Sequence, residues 1–240
     1  MSKSPKPKWH TRWKVLPHDP VLALEDNLRT VEAALPKMSL RRRMTIIRLA
    51  DGRLVIHNAI ALDDASMAAL EAWGKPAFLI VPNHFHRLDA VPFKQRYPDL
   101  VVIADPRSKG GVEAALPIDG GPELLPKDPA LTCEPLDGCK IGEMAFVIRH
   151  GSRATLLLND ALFNQPHLPG FSGFIMRAIG STGALKVTRI MRLFGVKDLG
   201  ALKAHLARLA ETPGLARLIV SHGQVIEGAE VGAKIRAAVA

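Results

Sequence analysis

Three side chains that can bind a metal ion follow one apolar run in this sequence: His84, His86 and Asp89. The run, residues 77–81, is continuous and apolar, which is typical of a buried strand, and a proline and an asparagine then end it. Two imidazoles at positions i and i+2 of extended backbone project to the same side, and a carboxylate three residues later can reach the same point. Imidazole and carboxylate together suit zinc, iron or manganese, so the pattern predicts a metal site.

Two further ligand-type residues also follow apolar strands. Asp160 comes after a predicted strand over residues 154–158, and His222 after one over residues 215–220. Proteins of the α/β class place their chemistry at the carboxyl ends of strands, which favours bringing these residues to the same point. Each residue also has a simpler interpretation: Asp160 and His222 as turn residues, and Asp89 as the N-cap of a following helix.

The helices and strands that must position these residues are predicted from hydrophobic periodicity and turn signals. Residues 28–34 fit either a strand or a short helix, residues 105–137 are rich in proline and glycine and predict loops, and residues 164–198 predict a helical insertion with loops. The predicted elements are strands 44–49 and 54–57 joined by an Asp51–Gly52 turn, helix 65–73, strand 77–81, helix 90–97, strand 101–104, strands 143–148 and 154–158, helix 199–209, strand 215–220 and helix 228–240. This mixture predicts an α/β (α+β) class in which two sheets pack together with helices outside.

Length and composition favour a flexible basic arm over residues 1–20 and one domain over residues 21–240. The chain has 240 residues, 48% of them hydrophobic, which is enough for one large core. No apolar run reaches the roughly 18 residues that span a bilayer, so no membrane partner is expected. The basic N-terminus has no apolar segment behind it, so a secretory signal is not expected and the predicted location is the cytoplasm.

The formal net charge of +9 raises the alternative of a polyanion-binding module. The excess is concentrated in the N-terminal arm and in Arg41, Arg42 and Arg43. Aromatic residues are only 5% and include a single tyrosine, which makes a nucleic-acid partner a weaker interpretation than a solvated basic surface. Arg87, beside the predicted metal site, fits either a solvated side chain or a partner for an anionic group on a small-molecule substrate.

The only two cysteines, Cys133 and Cys139, are six residues apart. In a cytosolic chain of this size both are expected to stay reduced.

From about Met44 to Gly223 the chain resembles the metallo-β-lactamase superfamily. His84 and His86 occupy the first two positions of the family's His-x-His-x-Asp-His motif, but Leu88 and Asp89 stand where its aspartate and next histidine would be. The segment 159–163 resembles the family's Gly-Asp-x-Leu-Phe segment, and 221–223 resembles its final histidine motif. Cys139 falls near the position of the third histidine.

The resemblance implies a four-layer αββα sandwich and one or two ions. It implies that one ion binds His84, His86, Asp160 and Cys139, and that a second uses Asp89, Asp160 and His222. The implied activity is hydrolysis of an ester, thioester, amide or phosphoester by a metal-activated water, with Asp89 and Asp160 orienting the water and transferring protons. The alternative is a non-catalytic binding protein of the same fold with a degenerate site. The oligomeric state is open.

Overall fold

A computed structural model describes residues 9–36 and 38–240, which form two sheets and the helices around them. The first sheet has six strands in sequence order: β1 (Leu22–Glu25), β2 (Leu28–Leu35), β3 (Met38–Arg48), β4 (Arg53–His57), β5 (Lys75–Ile80) and β6 (Val101–Ile103). Strands β1 to β4 pair antiparallel, and β4, β5 and β6 pair parallel, so the sheet is mixed.

The second sheet has five strands in the order β11-β10-β9-β8-β7. Their bounds are β7 (Leu131–Pro135), β8 (Met144–His150), β9 (Arg153–Leu157), β10 (Leu215–Ile219) and β11 (Ile226–Glu227). Within this sheet β9 and β10 pair parallel and the other neighbours pair antiparallel, so it is mixed as well. Because β9 and β10 are parallel neighbours, the segments that follow them begin at the same edge of the sheet.

The α-helices within the described residues are α1 (Asp64–Trp73), α2 (Ala90–Arg96), α3 (Lys109–Glu113), α4 (Gly170–Ala178), α5 (Leu199–Leu209) and α6 (Val231–Val239). Single 3₁₀ turns cover Pro106–Ser108 and Pro122–Leu124, and a π-helical turn covers Met191–Gly195. Among the helices that the structure describes, none is long and apolar enough to cross a membrane.

Three apolar clusters define four layers. One cluster lies between the sheets and joins Ile47 and Phe78 of the first sheet to Phe146 of the second. A second lies between the first sheet and helices α1 and α2, and a third between the second sheet and helices α5 and α6. Strand alternation produces this division, because successive side chains such as Ile46 and Ile47 point to opposite faces. The αββα sandwich predicted for the chain is therefore confirmed.

The predicted elements with strong periodicity are confirmed. The strands β4, β5, β6, β8, β9 and β10 and the helices α1, α2, α5 and α6 lie where the pattern predicts them, within three residues at the ends. The strand β3 is also where the hairpin was predicted, but it begins at Met38 rather than Met44. Residues 28–34 form a strand. The sequence did not predict β1, β7 or β11. These are short strands, and β7 buries only one of its five residues well, so it carries little apolar alternation.

The prediction of a flexible arm over residues 1–20 needs correction for residues 9–20, because these pack on the domain. Trp13 donates from its indole nitrogen to the carbonyl of Leu62 at 3.0 Å, and its ring lies 5.0 Å from that of Phe93. His18 forms a β-bridge with Ala33 of β2. Residues 1–8 of the predicted arm lie outside the described residues.

Candidate metal centre

Three polypeptide segments that leave the carboxyl ends of strands bring His86, Asp160 and His222 together. His86 lies in the segment after β5, Asp160 after β9 and His222 after β10. The Nε2 atom of His86 is 3.0 Å from both carboxylate oxygens of Asp160, and the Nε2 atom of His222 is 3.6 Å from Asp160 Oδ1. One ligand atom from each of the three residues lies within 4.8 Å of the others, and all three residues are buried. This is the group of candidate ligands that the described residues contain.

His84 does not join this group, and the conformation of residues 82–89 is the reason. The sequence predicts extended backbone here, but the chain turns: the backbone N–H of Phe85 donates to Asn83 Oδ1 at 2.8 Å, and that of His86 donates to the carbonyl of Asn83 at 3.1 Å. The imidazole of His84 therefore lies outside the group, although it is close enough to Asp160 and His86 to interact with their charges. The ring of His84 instead lies 3.9 Å from that of Phe85, and its Cβ is so close to Gly111 that a side chain there would clash.

Asp160 is held in place from two sides. Asn83 donates from its side-chain amide to Asp160 Oδ2 at 2.9 Å. Behind the site, the fully buried carboxylate of Glu143 accepts the backbone N–H groups of Asn159, Asp160 and Ala161 at 2.8 to 3.2 Å. Glu143 thus fixes the turn that carries Asp160. The sequence shows Glu143 only as the residue before an apolar strand, so its positioning role was not predicted.

His222 is fixed by the first sheet, although it belongs to the second. Its Nδ1 atom is 2.7 Å from the carbonyl oxygen of Arg41. The guanidinium of Arg43 donates to the carbonyls of Val220 at 3.3 Å and Gly223 at 2.9 Å, on either side of His222. Because a carbonyl can only accept, Nδ1 carries the ring proton and Nε2 presents its lone pair toward Asp160. Histidines that bind metals are oriented in this way.

Two of the three arginines in the basic run 41–43 are buried. Arg42 and Arg43 are only 3% and 6% exposed. Alternation along β3 sends Arg43 to the interface between the sheets, where it pairs with Glu32, and sends Arg42 to the helical side, where it pairs with Asp89. The polyanion-binding interpretation assumes that all three arginines of this run are exposed. Because Arg42 and Arg43 are buried, only Arg41 of the run is accessible to such a partner.

Asp89, predicted as a ligand and proton carrier, has a different environment. Its carboxylate pairs with Arg42, accepts the backbone N–H of Ala61 at 3.0 Å and contacts Nδ1 of His10 at 2.6 Å. It precedes α2 but makes no capping hydrogen bond with its side chain. These partners engage both carboxylate oxygens of Asp89. Its role is therefore that of a buried counter-ion on the helical side of the first sheet, and not that of the predicted ligand.

Cys139 is also outside the ligand group. It lies in the apolar cluster between the second sheet and its helices, and burial, followed by the nearby charge of Glu143, raises the pKa of its thiol. Burial likewise raises the pKa of Cys133. Both thiols are free. A thiol in such surroundings resists the ionisation that metal binding requires.

The protonation states of His222 and Asp160 suit a metal ion. Burial lowers the pKa of His222 to about 4, so its imidazole is neutral at pH 7. Burial alone would raise the pKa of Asp160, but the neighbouring His86 and His222 and the hydrogen bond from Asn83 outweigh burial and hold the pKa below its usual value. Neutral imidazole and ionised carboxylate are the forms that ligate zinc, iron and manganese, so the donor set fits such an ion.

An apolar cavity of about 410 Å³ opens beside the group. His86, Asp160 and His222 line it together with Ser181 and Thr188, and most of the remaining lining is apolar. The apolar lining includes Leu40, Phe85, Ile141, Phe163, Met176 and Phe194. Arg87, a candidate for binding an anionic group, stacks on the ring of Trp9 at 4.7 Å and donates to the carbonyl of Gly111.

The fold is that of the metallo-β-lactamases. The metallo-β-lactamase of Hirschia baltica aligns over 92% of this chain and 98% of its own with 14% identity and a TM-score of 0.57. That of Erythrobacter litoralis aligns over 91% and 95% with 12% identity and a TM-score of 0.61. The FIM-1 enzyme of Pseudomonas aeruginosa, in its mono-zinc form, aligns over 92% and 95% with 12% identity and a TM-score of 0.56.

At these identities the likeness establishes the fold alone. No family model matches the chain, and no curated protein matches it by sequence.

Proposed function

We propose that this protein is a metal-dependent hydrolase whose ion is held by His86, Asp160 and His222. The observation that carries the proposal is the convergence of two buried imidazoles and one buried carboxylate, with ligand atoms within 4.8 Å, at the wall of a cavity. Three protein ligands leave a coordination position for water or substrate, which is the pattern of catalytic rather than structural zinc sites. The described residues supply a ligand set for one ion.

The residues around the ion have separate tasks. A divalent ion held here supplies a Lewis acid that lowers the pKa of water from about 15.7 toward about 7. Asp160 has two oxygens at this point, so one can serve as a ligand while the other accepts the proton of an attacking water. Arg41 and Arg43 keep Nε2 of His222 aimed into the site, and Glu143 keeps the turn of Asp160 in place.

The metal identity follows from the donor set only as far as a class. Two imidazoles and a carboxylate suit zinc, iron and manganese alike. We propose zinc as the first ion to test. The mono-zinc form of the structurally similar FIM-1 enzyme supports that order.

The cavity narrows the substrate class. Its volume of about 410 Å³ lies within the roughly 300–1,000 Å³ of small-molecule sites, and its lining favours an apolar group next to the ion. We therefore propose an ester or thioester whose acyl part is apolar, ahead of the amides and phosphoesters that the fold also allows.

We place the protein in the cytoplasm. Both cysteines are free thiols, which fits a reducing compartment.

Turnover of esters and thioesters of graded acyl length tests the proposal. Asp160→Asn is expected to lose about 10²- to 10⁴-fold in rate, since it removes a ligand and a proton acceptor together. A strong chelator is expected to abolish turnover, and added zinc, iron or manganese to restore it. The control is His84→Ala, which lies outside the ligand group. Chelator-resistant turnover, or equal turnover in Asp160→Asn, would refute the proposal; tight binding of the same compounds without turnover would favour the non-catalytic binding protein.

A further inference from the structure

Two segments that line the metal cavity also carry large apolar side chains that face solvent. Helix α4 exposes Phe171, Phe174 and Ile175, and the segment after it exposes Ile190, Leu193 and Phe194; we call these six residues the apolar rim. Phe171 is 79% exposed and Leu193 is 70% exposed. Single exposed apolar residues are ordinary, but a contiguous set marks an interaction surface.

The rim is contiguous because its two segments touch. Arg189, next to Ile190, donates to the carbonyl of Ala178 at the end of α4, 3.4 Å away. Met176 of α4 lines the same cavity as Ile190 and Phe194. Exposed Met38 of β3 and Phe85 of the segment after β5 line that cavity too, so exposed apolar side chains of other segments adjoin the rim at the cavity.

The charge around the rim has one sign. Residues 161–197 contain five Lys or Arg residues and no Asp or Glu, so this segment contributes +5 to a chain whose net charge is +9. Arg177, Arg189 and Arg192 are exposed between the apolar side chains of the rim. A second copy of the chain would present the same cations, and like charges oppose such a contact.

We propose that the apolar rim docks on an anionic lipid bilayer without crossing it, so that the mouth of the metal cavity faces the lipid. An amphipathic surface with Phe and Leu at its tips and Arg between them is the chemistry of helices that lie in a membrane interface. The apolar tips enter the boundary between headgroups and acyl chains, and the cations face the anionic headgroups. The expectation of no membrane partner, drawn from the lack of a spanning run, does not bear on docking of this kind.

Co-sedimentation with lipid vesicles tests the proposal on the full-length protein stripped of metal. The vesicles are phosphatidylcholine alone and phosphatidylcholine with an equal amount of phosphatidylglycerol. We expect at least about tenfold stronger partition to the anionic vesicles, falling as salt is raised. The measurement uses no substrate and no ion, so its failure would leave the hydrolase proposal standing, and failure of the hydrolase assays would leave docking standing.

Variants separate the apolar and electrostatic parts. The double variant Phe171→Ser and Phe174→Ser is expected to lose about tenfold or more in partition, since it removes the tips of α4. Arg177→Gln and Arg192→Gln are expected to lose roughly fivefold each. The matched control is Leu22→Ser with Leu124→Ser, which removes two exposed apolar residues away from the rim and should bind as the wild type does. Circular dichroism checks that each variant folds.

Three outcomes would overturn the proposal. The first is no binding to anionic vesicles. The second is binding that the Phe171 and Phe174 changes leave intact, which would assign the attraction to other basic residues. The third is a dimer in sedimentation velocity that the same changes convert to a monomer, which would show that a second copy covers the rim.

Discussion

The Nδ1 atom of His222 lies 2.7 Å from the carbonyl oxygen of Arg41, although 181 positions separate the two residues in the chain. The contact joins the two sheets, because Arg41 belongs to β3 and His222 follows β10. It fixes the tautomer of His222 so that Nε2 presents its lone pair toward Asp160. The candidate metal centre therefore depends on the packing of one sheet on the other.

Arg43 stabilises this arrangement through the carbonyls of Val220 and Gly223. In Arg43→Met the backbone on either side of His222 loses these donors, and we expect metal affinity to fall about 10- to 100-fold. Competition against a chelating dye measures the change. The control is Arg53→Met, whose partner Asp51 lies on the surface far from the site, and which should bind metal as the wild type does. Equal affinity in both variants would contradict the positioning role of Arg43.

Glu143 supports Asp160 from behind, with its carboxylate accepting three consecutive backbone N–H groups. Glu143→Gln places an amide N–H against those donors, so we expect a loss of about 1–3 kcal/mol in the free energy of unfolding together with weaker metal binding. Urea unfolding and the dye competition measure the two effects. Glu113→Gln, an exposed change that leaves the turn of Asp160 untouched, is the control. A Glu143→Gln protein with unaltered stability would show that the turn does not need this carboxylate.

Substitution of Asp89 distinguishes a structural role of this residue from a role as a metal ligand. Asp89→Asn leaves the buried guanidinium of Arg42 without its counter-ion, and we expect a loss of about 3–5 kcal/mol in the free energy of unfolding. Metal content per folded molecule should not change, because Asp89 lies outside the ligand group. Metal loss in a variant that still folds would restore Asp89 as a ligand.

Acid should destabilise the fold through His57, a buried histidine of β4. Burial is the main cause that lowers the pKa of His57 to about 3, from an ordinary value near 6.5. Between these values the unfolded chain binds one more proton than the folded chain, so stability falls as pH falls, by up to about 1.4 kcal/mol per pH unit.

Urea unfolding of metal-free protein from pH 7 to pH 4 measures this slope. His57→Gln should unfold with a slope smaller by about one proton. An identical slope in the wild type and in His57→Gln would show that His57 does not contribute.

The sequence predicts the framework better than the contacts inside it. Periodic apolar strands and helices predict two sheets and the carboxyl ends of β5, β9 and β10. His86, Asp160 and His222 follow these strand ends. His84 lies outside the ligand group. The hydrogen bond from the backbone N–H of Phe85 to Asn83 Oδ1 turns the backbone there, which a pattern of apolar residues does not show.

The roles of the residues around the ligand group depend on tertiary contacts that the sequence does not show. From the sequence, Asp89 was predicted to be a metal ligand and the arginines of β3 to be part of a basic surface. In the structure, Arg42 pairs with Asp89 and Arg43 pairs with Glu32 in the interior, on opposite faces of the strand. Glu143 carries no motif at all, because its role is to accept backbone N–H groups from a turn that follows another strand.

The most direct test is metal analysis of the purified, tag-free protein by plasma mass spectrometry after loading with zinc, iron or manganese. We expect the wild type and His84→Ala to retain metal in stoichiometric amount, and His86→Ala, Asp160→Asn and His222→Ala to lose it while keeping their fold. A protein that takes up no metal, or one whose metal content depends on His84 but not on His86 or His222, would contradict the proposed centre.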